Sequence, residues 1–429
     1  MRRLFDIWSI VLLLFSAGGA TLASRTIYTL EGAVVPLLML ATCGIMLVIS
    51  RLSIKRGFLF VVLGFLLYFS LLTIKFEEIH YKFLFLLPFY FYISYSYLRH
   101  FGFRFFSIFQ KTVTVLAAIS LFVWIGHIFT PSLVENACSK FTFFAPYNEI
   151  IVSHCLIYTV VNEAVESALL RNSGFAWEPG AFAVFLSLGV FSNQLSNKFR
   201  LYKNRSIWIL TTALLTTQST TGYSILVILL GFHLWNTLTM KTLLLLLPVI
   251  ALSTFALFSL PFMGDKIRSL AQEDVASILY TASLDWNQTK TLSAQRFVSL
   301  QMDWIDFLQH PLLGYGGHDE AMWLRSIAPN VASISGLGKL LAKFGLIGTA
   351  FFLLAAIRSA RRMLFEHSLR GAPFILVFLL AIGTSYSLLE SPLLMCFWFA
   401  PFVALPKNRD TYTQTNINHH ARNATLDPQ

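Results

Sequence analysis

The sequence predicts an all-α protein that crosses a membrane about twelve times, and three observations carry that expectation. Of its 429 residues, 56% are hydrophobic and only 12% are charged, against roughly a quarter charged in soluble globular domains. Runs of about 20 apolar residues, the length a helix needs to cross the hydrocarbon core, recur along the chain. Between those runs the basic residues gather in alternate connections, the bias that orients membrane helices. A mean hydropathy of +0.66 and 41 Phe exclude an intrinsically disordered chain.

Taken in order, the apolar runs lie at roughly 4–24, 32–50, 57–74, 81–98 and 110–130, then at 178–195, 205–218, 220–236 and 242–260, and last at 340–357, 372–388 and 391–405. Arg2 and Arg3 precede the first; Arg51, Lys55 and Arg56 separate the second from the third; Arg99 and Arg104 separate the fourth from the fifth, and Lys111 stands at the start of the fifth. Lys198, Arg200, Lys203 and Arg205, then Lys241, then Arg358, Arg361, Arg362 and Arg370 continue the pattern, and Lys407, Arg409 and Arg422 stand in the tail. Most of the 21 Asp+Glu fall in the other connections. Both termini are therefore expected in the cytoplasm, with the spans in an inner membrane. The excess of 32 Lys+Arg, a net charge of +11, is a topology signal rather than a nucleic-acid footprint. The first run, from Arg2 and Arg3 to the small residues before Ser24, also has the make-up of a cleaved signal peptide, and the later spans keep their orientation either way.

The whole chain, 1–429, reads as one integral membrane domain. Two outer connections, 131–177 and 261–339, are too long to be turns, and loops of that size are usually functional. The tail, 406–429, is polar and expected to be disordered in the cytoplasm. No GxxxxGK[ST] motif occurs, so chemistry is expected on the outer face without ATP.

Three stretches hold the candidate groups. In the first, Arg171-Asn-Ser-Gly-Phe-Ala-Trp-Glu178-Pro-Gly, Pro179 suits the first turn of a helix and Glu178 favours its positive end. Glu178 is then an acid, base or sugar ligand beside a phosphate-binding Arg171, or the two form a cap and a structural ion pair. In the second, Arg296, Ser299, Asp303, Asp306 and His310 recur every three or four residues and so share one helix face. Phe297, Leu300, Trp304, Phe307 and Leu308 supply an apolar face, and Pro311 ends the helix. An amphipathic helix lying at the membrane surface is expected, its polar stripe turned to a cavity or to solvent. The glycines of Gly314-Tyr-Gly-Gly-His318 permit close approach of a ligand, or a tight turn. His310 and His318 are the outer histidines best placed for proton transfer. In the third stretch, Lys339 and Lys343 lie four residues apart, on one face, as anion ligands or as side chains snorkelling to headgroups. The polar insert Thr216–Tyr223 turns its hydroxyls and Gln218 toward the same outer space or is only a turn, and Asp303, Gln218 and Asn330 are the candidate glycan ligands. Cys138 and Cys155 both fall in the first long outer loop and pair as a disulfide if the compartment is oxidising. No spacing matches a strong metal signature.

Many short spans, two long outer loops, Arg171…Trp-Glu178-Pro-Gly and Arg296…His310-Pro-Leu-Leu-Gly-Tyr-Gly together resemble the O-antigen polymerase (Wzy-type) and ligase superfamily. The resemblance covers most of the chain as architecture, with local motifs in 171–182, 211–223, 296–317 and 330–349. It implies a GT-C-like helical fold and a metal-independent glycosyltransferase without cofactors. The substrate implied is an undecaprenyl-pyrophosphate-linked oligosaccharide in the membrane lipid, with a polysaccharide chain-length regulator as a candidate partner. It also implies that outer-loop arginines, here Arg171 and Arg296, bind the pyrophosphate, with Lys339 and Lys343 as weaker additions. Glu178 and His310 or His318 would then orient or deprotonate the acceptor hydroxyl. Ligases commonly carry an arginine in the Ser/Thr-rich stretch between adjacent spans and a His-Asn pair in the last long loop. Here 216–223 has no arginine and Asn330 follows Pro329, which favours polymerase over ligase. A flippase or other transporter is the rival class; it should carry charges inside its spans, whereas here they gather outside.

Overall fold

The computed structural model describes residues 2–18, 20, 34–50, 54–140, 151–161, 170–197, 204–239, 241–242, 248, 252, 255, 274–284 and 292–403. Within them the chain is mostly helical. The helices are α1 (Arg2–Phe15), α2 (Val34–Ser50), α3 (Arg56–Phe76), α4 (Tyr81–Phe101), α5 (Arg104–Phe129), α6 (Pro131–Lys140), α7 (Pro179–Asn197), α8 (Arg205–Thr216), α9 (Thr220–Thr237), α10 (Val275–Leu284), α11 (Arg296–Gln309), α12 (Trp323–Ile327), α13 (Gly336–His367), α14 (Ala372–Gly383) and α15 (Pro392–Met395). Two small ladders depart from a purely helical chain. In the first outer loop β1 (Ile151–Cys155) pairs antiparallel with β2 (Tyr158–Val161). In the second, β3 (Leu292–Ser293) pairs parallel with β4 (Val331–Ala332).

Among the described residues α3, α5 and α13 are long and apolar enough to cross a membrane, and Val34–Ile49, Val275–Leu284 and Ala372–Gly383 are shorter apolar helices. This is consistent with an all-α, multi-pass membrane protein. On α3, Phe58, Val61, Phe65, Phe69 and Leu72 are buried, a stripe at helical spacing. Phe60, Leu63, Leu67 and Ile74 on its other face stay 60% or more exposed, as apolar side chains facing lipid do. By contrast α7 is buried from Pro179 to Leu195 without interruption and packs on α5, α8 and α9. A helix apolar on every side belongs inside. Its polar end is clamped: Asn193 donates to Gln110 Oε1 at 2.7 Å and accepts from Asn204 at 2.6 Å.

The expected spans near 32–50, 57–74, 81–98, 110–130, 178–195, 205–218, 220–236 and 372–388 each coincide with a helix, the last of them shortened. The run at 242–260 and the tail at 406–429 lie almost wholly outside the described residues. Three runs differ from expectation. The first, near 4–24, is helical only to Phe15 and turns at 16–18. The stretch 391–403 is not a continuous helix but α15, tight turns and the 3₁₀ turn Ala400–Phe402. Its residues Pro392 to Phe399 are buried, and Ser94 of α4 donates to the Pro392 carbonyl at 3.0 Å. Its apolar character therefore serves the core rather than a lipid face. The tenth run is broken: Gly345 inside α13 has φ +61° and ψ −167°. The backbone of 311–316 fills the break. Tyr315 and Gly316 N–H donate to the Ala342 and Lys343 carbonyls at 3.0 and 2.8 Å, and Leu346 N–H donates to the Pro311 carbonyl at 2.8 Å.

The connections assigned to the outer face meet one another. The 171–178 turn, the α8–α9 turn, the second long loop, the first half of α13 and the 384–390 connector share hydrogen bonds or ion pairs. Connections assigned to the inner face meet likewise, as in Asp6 with His100 and Arg104 and in Asn236 with Arg370.

Candidate functional site

The turn before α7 is built on the end of α8. Asn172 N–H donates to the Thr216 carbonyl at 3.0 Å and Asn172 Nδ2 to Thr216 Oγ1 at 3.0 Å. Gly174, at φ +48°, gives way to the Phe182 ring, which leaves no room for a Cβ. This geometry carries Arg171 to the C-terminal end of α8, where it donates to the Thr217 and Gln218 carbonyls at 3.2 and 3.4 Å. A cation at a helix C-terminus is favourable there. Arg171 and Gln218 thus meet, through the Gln218 backbone, which sits at φ +47°.

Glu178 pairs with a different arginine from the one beside it in sequence. Its Oε1 lies 3.9 Å from Arg296 Nη2, with the two side chains about a third exposed, at 34% and 31%. Gly180, in the first turn of α7, leaves both groups their space, since a side chain there would press on Glu178 Oε1 and Arg296 Nη2. Arg296 Nη1 donates to Thr221 Oγ1 at 2.5 Å, and Thr221 Oγ1 lies 3.4 Å from Ser385 Oγ. An accessible guanidinium, a carboxylate and two hydroxyls therefore converge from the turn before α7, from α9 and α11, and from the connector after α14. Such a group can bind an anion and hold a hydroxyl beside a carboxylate.

The rest of the polar stripe on α11 points inward, onto α13 and the segment 323–335, not to solvent. Ser299, Asp303 and Asp306 are 0–1% exposed. Ser299 Oγ accepts from Ile334 N–H at 3.1 Å, Ser333 Oγ donates to Asp303 Oδ2 at 2.6 Å, and Trp323 N–H donates to Asp306 Oδ1 at 2.6 Å. The physical reason is that the irregular chain opposite has backbone donors no ladder satisfies. Gly338 of α13 has no side chain because Asp303 occupies its place. Burial pushes the Asp303 carboxyl up to about 7 against the pull of Ser333 and Lys339, and burial also raises Asp306. The apolar residues Phe297, Trp304 and Leu308 are about half or more exposed, while Phe307 turns into the core with Tyr315.

His310 caps the far end of α11. A 14-residue helix is about 20 Å long at 1.5 Å per residue, so His310 stands that far from Arg296. Its Nε2 lies 3.4 Å from the Ala321 carbonyl oxygen and its ring meets Phe76 edge-on. His318, nearly buried, stacks near the same Phe76, with Nδ1 3.7 Å from Glu78 Oε2 and its ring beside His80. Burial lowers both histidines, helped by Lys75 for His310 and by His80 for His318. The two therefore form one cluster with α3 and α4, separate from Glu178 and Arg296. The glycines between them serve the protein's own backbone: Gly314, at φ +69°, lies against the Lys343 carbonyl, and Gly316 and Gly317 lie against Leu72 and His80.

Lys343 donates to Glu390 Oε1 at 2.6 Å. Burial alone would raise the Glu390 carboxyl, but Lys343, Ser387 and Lys339 together outweigh it and the net shift is downward. Lys339, half-buried, acts electrostatically on both Asp303 and Glu390 and forms no ion pair within 4 Å among the described residues. Asn330 is buried, with its amide nitrogen unpartnered. Cys138 and Cys155 are thiols in contact, Sγ to Sγ 3.2 Å, and the Cys138 S–H draws the Cys155 thiol down to about 6. Among the described residues no three acidic, histidine or cysteine groups cluster for a metal ion. A surface depression lined by Asp319, Glu320, Arg325 and Ser326 contains none of the candidates.

Ser333, Ser385 and Glu390 are not among the candidates the sequence offers, and Thr221 is there only as one hydroxyl of the polar insert. Glu390 had a signal, as a lone carboxylate between two apolar runs. Thr221 lay inside the polar insert already noted, whereas nothing local distinguishes Ser385 or Ser333 from other serines.

No curated protein and no solved structure matches the chain. Arg296, Thr221, Asp303, both histidines and both lysines lie within one matched segment, while Arg171, Glu178, Ser385 and Glu390 lie outside it. That segment, residues 206–353, matches the Wzy_C family, described as O-antigen ligase, and so agrees with the O-antigen polymerase and ligase superfamily, whose substrates are lipid-linked glycans in a membrane.

Proposed function

We propose that the protein is a membrane glycosyltransferase that joins undecaprenyl-pyrophosphate-linked repeat units on the periplasmic face, an O-antigen polymerase. The observation that carries this reading is the accessible Arg296, bonded to Thr221 and paired with Glu178 at the end of the bundle assigned to the outside. In this reading Arg296 holds the pyrophosphate and stabilises the charge it gains as the glycosidic bond breaks. Arg171 and Lys339 add positive charge nearby. Glu178, beside Arg296, orients the attacking hydroxyl and takes its proton. His310 and His318, at the other end of α11, serve the acceptor glycan rather than the breaking bond. Lys343 holds Glu390, and Asp303 holds the loop that carries Asn330. No metal ion is required, because the leaving group already carries its activation.

The second reading is a ligase that passes the glycan to lipid A–core, the activity in the description of the matched family. Absence of arginine from 216–223 and of a His-Asn pair at Asn330 favours the polymerase. Deleting the gene in its host and displaying the lipopolysaccharide separates them. Core plus a single repeat is the polymerase outcome. Loss of all O-antigen, with polymer accumulating on the lipid carrier, is the ligase outcome.

A further inference from the structure

Tyr386 lies one residue beyond Ser385, in the connector that follows α14. Its hydroxyl is buried and has no hydrogen-bond partner among the described residues, although a buried phenol normally finds one. Ser385 reaches Thr221, and Thr221 holds Arg296. Glu178 and Arg296 both act electrostatically on the phenol. The backbone is held in place from the other side, because Gly336 at the start of α13 abuts the Tyr386 carbonyl with no room for a side chain. An unused donor thus lies within electrostatic reach of a guanidinium and a carboxylate that are each about a third exposed, and no described residue bonds it. Burial raises the phenol above its ordinary range near pH 10, so it remains protonated at neutral pH and presents an O–H to an acceptor. Phosphate oxygens are acceptors only, and they are the chemistry an arginine attracts.

We propose that Tyr386 is a further substrate-binding residue, whose phenol donates a hydrogen bond to a phosphate oxygen of the lipid-linked donor held by Arg296. The proposal rests on the reading of Arg296 as the pyrophosphate ligand. Arg296 supplies charge and Tyr386 a directed donor, so the phosphate is held in one orientation against Glu178. The contact also places a residue from outside the matched segment 206–353 in direct touch with the substrate.

The test uses the full-length protein in nanodiscs and undecaprenyl pyrophosphate as the probe. Affinity is measured by titration, and melting temperature with and without the lipid. Tyr386→Phe removes one oxygen and keeps the ring, so the lipid-free melting temperature should stay within a degree or rise, while affinity falls about five- to twentyfold. Arg296→Ala should lose binding. If Tyr386→Phe binds as tightly as the parent while Arg296→Ala does not bind, the assignment of Tyr386 is wrong and the phosphate site stands. A lower lipid-free melting temperature with unchanged affinity also overturns it, because the phenol then bonds water within the protein. Undiminished binding by Arg296→Ala would remove the phosphate site itself.

Discussion

Arg296 and Asp303 stand two turns apart on one face of α11, and their surroundings have little in common. Arg296 keeps a third of its side chain exposed and reaches a hydroxyl on α9 and the carboxylate just before α7. Asp303 is fully buried and spends its carboxylate on Ser333. The difference teaches that a polar stripe has no single meaning. Its N-terminal end lies where several connections meet and leave accessible space, so it suits a ligand. Its middle lies against irregular backbone whose donors need acceptors, so it serves architecture.

The contrast predicts opposite phenotypes. Arg296→Ala should lower glycan transfer from purified lipid-linked substrate by about 10²–10³-fold, the usual size for a lost group that stabilises developing charge, while the detergent-solubilised protein still elutes as one folded peak. An Arg296→Ala protein that transfers normally would end the comparison. Gly314→Ala should act on folding instead. A non-glycine residue at that positive φ costs about 1–3 kcal/mol, and its Cβ would press on the Lys343 carbonyl, so the melting temperature should drop markedly. Asp303→Ala should lower stability by about 1–3 kcal/mol, because Ser333 loses its buried acceptor. If it melts like the parent and only transfer suffers, the middle of the stripe belongs to the site.

Acidity sharpens the same point. A carboxyl raised from 3.8 to about 7 contributes stability that is fully present below pH 3.8 and is lost as pH rises through 7. His310 and His318 are lowered, so their contribution has the opposite sign, present above pH 6.5 and lost as pH falls. The melting temperature of Asp303→Asn, subtracted from that of the parent between pH 5 and 8, isolates the aspartate and should show a component falling with pH. A flat difference would mean that Asp303 ionises normally. The smallest effect is expected at the cysteines. In an oxidising compartment Cys138 and Cys155 should link, read as protection from alkylation until reduction, with transfer unchanged in the double serine variant. Two freely alkylated thiols in the protein as isolated would refute the link.

Much of the helical framework was legible because it is local. The aromatic stripe of α3, the Glu178-Pro179 start of α7 and the polar break between α8 and α9 are all written in neighbouring residues. The stretch 391–403 misled because a buried plug and a lipid-facing span share the same composition. Gly345 looked like one more glycine in an apolar run, since the segment that fills its break comes from 30 residues earlier.

By itself the sequence determined that the chain is helical and apolar enough for a membrane, where its polar connections fall and which charged groups gather in them. Apolar periodicity and charge bias reflect free energies that each segment has alone in lipid or water. Only the tertiary structure decided that Glu178 pairs with Arg296 rather than with Arg171, that Lys343 is held by Glu390, and that His310 lies a helix length away from the guanidinium. Those partners are set by which helices pack side by side, and packing couples residues far apart in the chain through shape and burial that no local pattern records.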